Sequence, residues 1–78
     1  MEDLSWRARL ARKNINILNI DDERWYYEFM YHPRPGQTKW CKTFYSTHKG
    51  RDSELVARDI EAEVLDLRKE LESNGYGY

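Results

Sequence analysis

The stretch Trp25-Tyr26-Tyr27-Glu28-Phe29-Met30-Tyr31-His32 decides the fold. Trp25, Tyr27, Phe29 and Tyr31 occupy every second position, and successive side chains of a strand point to opposite faces. The run therefore reads as a β-strand with one wholly aromatic face and one mixed face of Tyr26, Glu28, Met30 and His32. Before it, Ile15-Asn16-Ile17-Leu18-Asn19-Ile20 is rich in β-branched residues and leads into the polar turn Asp21-Asp22-Glu23. After it, His32-Pro33-Arg34-Pro35-Gly36-Gln37 carries turn formers, because Pro35 fixes φ and Gly36 supplies a left-handed position. Residues 38–45, Thr-Lys-Trp-Cys-Lys-Thr-Phe-Tyr, read as a third strand. Connections this short join antiparallel neighbours.

From Asp52 the period changes. Ala57, Ile60, Val64, Leu67 and Leu71 step by three or four, with Val56 widening the stripe. Asp52 or Ser53 is a natural N-cap, Glu54 suits the positive helix end, and Arg68 and Lys69 suit the negative one. Asn74-Gly75 is a stop signal. Twenty residues give about 30 Å of helix, long enough to cross strands of roughly 26 Å. The fold class expected is α+β: a three-stranded antiparallel sheet packed on one long C-terminal helix. Residues 1–13 are expected to form a basic arm or a short helix, 14–73 the β-β-β-α domain, and 74–78 a loose tail.

The chain has 78 residues, 40 % of them hydrophobic and 14 % aromatic, which is too apolar for disorder and enough for one modest core. Cys41 is the only cysteine, so no internal disulfide is possible and a reducing, cytoplasmic setting is expected. Met1-Glu2-Asp3-Leu4 lacks a basic and then apolar leader, and no apolar run approaches a membrane span. The formal net charge of −1 conceals an asymmetry. Residues 1–51 hold ten Lys/Arg against six Asp/Glu, whereas residues 52–78 hold three against eight. An acidic total is compatible with an anionic ligand if the acidic element faces away from it.

Candidate chemistry is sparse. Cys41 stands in a strand between Trp40 and Lys42 and reads as a small packed thiol, while His32 and His48 flank loops. Neither a nucleophile with its base nor a zinc-ligand spacing is present, so no catalytic residue, cofactor or metal is expected. Asp59, Glu61, Glu63, Asp66 and Glu70 read as the solvated face of the helix. The mixed strand face is more informative, because Tyr26, Met30 and Trp40 beside Lys42 are large and apolar for a surface that water alone would cover. The alternative is that Trp40 is packed by Leu4, Trp6 or Leu10.

The runs Arg24-Trp25-Tyr26-Tyr27-Glu28-Phe29 and Thr38-Lys39-Trp40-Cys41-Lys42-Thr43-Phe44-Tyr45-Ser46-Thr47, with a helix around Val56-Ala57-Arg58-Asp59-Ile60-Glu61, carry a resemblance. Over roughly residues 14–72 the chain resembles the N-terminal arm-type DNA-binding domain of phage and transposon tyrosine recombinases. It is similar, too, to the DNA-binding domain of plant ethylene-response factors. The resemblance implies a sheet that enters the major groove with the helix behind it. It places Tyr26, Glu28, Met30 and Trp40 at the groove, and Trp25, Tyr27, Phe29, Cys41 and Phe44 in the core. Where that family has groove-facing arginines this chain has Glu28, Met30 and Thr38, and its first strand offers Asn14, Asn16 and Asn19.

Two functions are expected from this reading. One is a small non-catalytic, accessory or regulatory DNA-binding protein of phage or mobile-element type. In it Arg7, Arg9, Arg12 and Lys13 hold phosphates, and Asn16, Tyr26, Glu28, Met30, Trp40 and Lys42 face the groove. The other is a protein-interaction module, such as a host-takeover or defence-inhibiting factor, using the aromatic sheet face or the acidic helix. A homodimer through Leu55 and Leu65 is compatible with both.

Overall fold

The computed structural model describes residues 2–75, with side chains from 5 to 73. The element order is α1 (Glu2–Arg12), β1 (Ile15–Ile20), β2 (Arg24–Tyr31), β3 (Lys39–Ser46) and α2 (Ser53–Gly75). The sheet is antiparallel in the order β1-β2-β3. The expected architecture is present, and the N-terminal segment is a helix.

The aromatic face of β2 is the floor of the core. Trp25, Tyr27 and Phe29 are buried, and Val56, Ala57, Ile60 and Val64 of α2 lie over them. Leu67 and Leu71 extend the stripe at partial burial. The α1 residues Trp6 and Leu10, one helical turn apart, are buried in the same cluster, and the Trp6 ring lies 5.0 Å from that of Trp25. Trp6 and Leu10 therefore do not cover Trp40, which stays 47 % exposed; the Leu4 side chain lies outside the described ones. Asn14 ends α1 with φ of 60°, a left-handed position that Asn tolerates, and its amide donates to Ala11 O at 3.0 Å.

Strand β1 departs from simple alternation. Ile15 pairs with Phe29 and Ile17 with Tyr27, but Asn19 then pairs with Tyr26, so Leu18 is an extra residue in a β-bulge. The bulge reconciles the spacing of Ile15, Ile17 and Ile20. It returns Ile20 to the side of Trp25 and leaves Asn16 and Asn19 on the opposite face.

Polar groups tie the layers together. Asp52 caps α2, its Oδ1 accepting from Glu54 N at 3.0 Å. Tyr27 donates its hydroxyl to Glu63 at 2.7 Å, and Tyr45 donates to Asp59 at 2.7 Å. Burial, and then the Glu63 hydrogen bond, push the Tyr27 pKa well above the usual phenol value. Arg9 pairs with Glu54 at 2.8 Å and Glu61 at 2.6 Å, and Lys13 reaches Glu61 at 2.8 Å. The acidic face of α2 is thus only partly a solvated one: Asp59, Glu61 and Glu63 hold the sheet and α1, while Asp66 and Glu70 are exposed. Arg68 does not serve the helix end. It donates sideways to Met30 O at 2.8 Å and Lys13 O at 2.7 Å, stitching α2 to β2 and to the end of α1. The helix runs through Asn74 to Gly75, beyond the expected stop, and residues 76–78 of the expected tail lie outside the described residues.

Candidate binding face of the sheet

Both helices lie on the same side of the sheet, so the opposite side carries only its own side chains. Register defines that side. Asn16 pairs with Glu28 and Asn19 with Tyr26 across β1 and β2, while Tyr26 pairs with Phe44, Glu28 with Lys42 and Met30 with Trp40 across β2 and β3. The structure thus brings Asn16, Tyr26, Glu28, Met30, Trp40 and Lys42 onto one face, as the alternation of β2 requires.

The face has two apolar ends and a polar waist. At one end the Tyr26 and Phe44 rings lie 6.0 Å apart, and the Arg24 guanidinium sits 4.9 Å from the Phe44 ring centre. At the other, Met30 stands opposite Trp40. Between them Asn16 donates to Glu28 at 3.1 Å, with Lys42 as the cross-strand neighbour of Glu28. Trp40 and Phe44 are 47 % and 46 % exposed, and Leu18 at the bulge is 50 % exposed. Water is a poor partner for large apolar side chains such as Trp40 and Phe44.

Phe44 is a correction to the core expected from the resemblance. It stands four residues after Trp40 and shares its face, whereas Tyr45 turns toward the helix and bonds Asp59. Cys41 does lie on the covered side, half-buried opposite Phe29. Phe44 and Arg24 lie on this face in addition to the expected site residues. Strand parity alone finds Phe44, because a residue at an even distance from Trp40 must share its face.

The four N-terminal cations are not equivalent. Arg9 and Lys13 turn toward α2 and are held by Glu54 and Glu61. The hydrogen bond to Glu61 raises the Arg9 pKa. On Glu61 partial burial opposes ionisation, but Lys13 and Arg9 together outweigh it and hold the carboxyl below its usual range. Arg12 is exposed and sits with Ser5, Ala8 and Arg9 around a shallow cleft of α1. Only Arg7 approaches the open face: its guanidinium lies 4.7 Å from the Trp6 ring centre, and it shares a cleft with Ala11, Ile15, Asn16 and Ile17 at the β1 edge.

Around the rim, the Asp21-Asp22-Glu23 turn adds negative charge at the Tyr26 end, and the β2–β3 loop adds exposed Arg34 at the other, while Lys39 opens β3 opposite Tyr31 on the covered side. His32 closes that loop, with Nδ1 3.0 Å from Gln37 O and its amide donating to Glu72 at 3.0 Å. Among the described residues no cluster of His, Cys, Asp and Glu is arranged to hold a metal ion, and no helix is long and apolar enough to cross a membrane. Leu55 and Leu65 are exposed on α2 but stand ten residues apart, about 15 Å along the helix, and do not form one patch. Comparison with protein families, with curated proteins and with solved structures finds no match for this chain.

Proposed function

We propose that this chain is a non-catalytic binding module that lays the open face of its sheet into the major groove of duplex DNA. The observation that carries the reading is the division of the molecule into two layers. Stacking and hydrogen-bonding side chains, Asn16, Asn19, Tyr26, Glu28, Trp40 and Lys42, occupy the free sheet face, and the carboxylates of α2 lie behind it. Three strands at their usual spacing measure about 10 Å between the outer two, which suits a groove of about 12 Å. Arg7, Arg24 and Lys42, with Arg34 in the β2–β3 loop, are the cations best placed for phosphates, replacing Arg9 and Lys13, which are engaged with α2.

With about four phosphates neutralised, log K falls against log salt with a slope near −3.5. A titration of mixed-sequence duplex, single-stranded DNA and RNA at low salt tests the reading. The expected result is preferential duplex binding with that slope; no duplex binding at low salt would sink it.

A second reading has its own observation. Trp40 and Phe44 are large, apolar and about half-exposed on the strand beside Glu28, a composition that also suits a protein partner, because aromatic residues anchor protein interfaces. A stoichiometric protein partner that survives nuclease treatment, together with failure of the duplex titration, would favour it.

A further inference from the structure

The two edges of the sheet differ, and that difference points to a second copy of this chain. The outer edge of β1 is interrupted by the Leu18 bulge and flanked by α1, with Arg7 and Ala11 beside Ile15 and Ile17. Strand β3 has neither protection. Its ladder with β2 runs from Lys39 to Ser46 without a register shift or a proline, and among the described residues no strand pairs with its other side.

The groups on that edge can be named. Thr47 N donates to Glu23 O at 2.9 Å, continuing the ladder that pairs Arg24 with Ser46, so odd-numbered residues of β3 point their backbone groups at β2. Met30 N, which donates to Asn14 O at 3.1 Å, shows the complementary parity in β2. The backbone N–H and C=O groups of Trp40, Lys42, Phe44 and Ser46 therefore face outward. A row of unpaired strand groups is a template for another strand.

We infer that β3 pairs antiparallel with β3 of a second copy across a two-fold axis at Thr43, joining two three-stranded sheets into one of six. Two registers give the longest overlap. An axis at Lys42 sets that lysine against its own copy, and like charges directly opposite are destabilising. An axis at Thr43 instead places Lys42 opposite Phe44, Trp40 opposite Ser46 and Cys41 opposite Tyr45, with Thr43 facing Thr43. The two Lys42 side chains are then only diagonal neighbours, and each keeps its own Glu28 across the strand. The joined sheet, about 24 Å between its outer strands, is wider than the major groove, so pairing through β3 and entry of the groove exclude one another.

The inference is tested on the full chain alone. Sedimentation equilibrium is expected to give a mass that rises from 9.5 kDa to twice that value as concentration increases. Amide exchange at Trp40, Lys42, Phe44 and Ser46 slows in parallel, while Cys41, Thr43 and Tyr45, already bonded to β2, do not change. In a Cys41→Ser background, Thr43→Cys forms a disulfide dimer under mild oxidation, because facing residues of a non-hydrogen-bonded pair lie about 4.5 Å apart at Cα. A monomeric mass with concentration-independent exchange overturns the inference. A wild-type covalent dimer through Cys41 overturns the Thr43 axis. Should Thr43→Cys fail to fold, the wild-type exchange pattern decides.

Discussion

The two faces of β2 use nearly the same chemistry for opposite purposes. Trp25, Tyr27 and Phe29 are at most 5 % exposed beneath α2, whereas Tyr26, Glu28 and Met30 on the other side are only partly covered and Trp40 and Phe44 beside them are half-exposed. What separates them is the position of the helices, since both α1 and α2 lie on one side of the sheet. Aromatic content therefore does not by itself mark a core. In this molecule one aromatic face holds the fold and the other is free for contact.

Substitutions on the two faces break that comparison most sharply. Phe29→Ala opens a cavity under α2 and is expected to cost about 3–5 kcal/mol, comparable with the whole stability of a domain this size; loss of the cooperative thermal transition is the readout. Next in size is Tyr27→Phe, which leaves Glu63 without its donor. A loss of about 1–2 kcal/mol is expected by urea denaturation, with the core shape retained.

Glu61 sharpens the comparison by separating α1 from the sheet face. Its carboxyl is held below the usual range by Lys13 and Arg9 against the opposing effect of burial. A carboxyl with a depressed folded pKa stabilises the protein above its unfolded value, about 4.3, and that contribution is lost as pH falls through the folded value. Glu61→Gln is therefore expected to flatten the acid limb of stability against pH and to cost about 1 kcal/mol near neutrality, the upper end for solvent-screened pairs. The variant leaves the open face intact, so duplex affinity changes little.

Smallest in stability are the open-face changes. Trp40→Ala and Phe44→Ala are expected to stay within about 0.5 kcal/mol of the parent, because neither side chain belongs to the buried cluster.

Much of this arrangement is legible in the residues themselves, where the cause is local. The alternation of β2, the three-four stripe of α2 and the Asp52 cap each follow from periodicity or a single side chain, and each stands where expected. Ile15, Ile17 and Ile20 carry a trace of the bulge in their uneven spacing, yet only pairing with Trp25 and Tyr27 shows that Leu18 is the extra residue. The resemblance puts Phe44 in the core, whereas its even spacing from Trp40 puts it on the open face. The fates of Arg9, Lys13 and Glu61 were not readable, because these partners lie 48 to 52 residues apart and meet only when α1 packs beside α2. Periodicity distinguishes the sides of an element, and tertiary packing decides which cations remain available.

The central claim, that the open sheet face binds the ligand, is tested most directly by a low-salt duplex titration of wild type, Trp40→Ala and Leu65→Ala, the last altering an exposed leucine on α2 behind the sheet. A tenfold or greater loss of affinity is expected for Trp40→Ala, equivalent to at least ~1.4 kcal/mol, with unchanged thermal stability, and wild-type affinity is expected for Leu65→Ala. Wild-type affinity in Trp40→Ala, or an equal loss in Leu65→Ala, would contradict it.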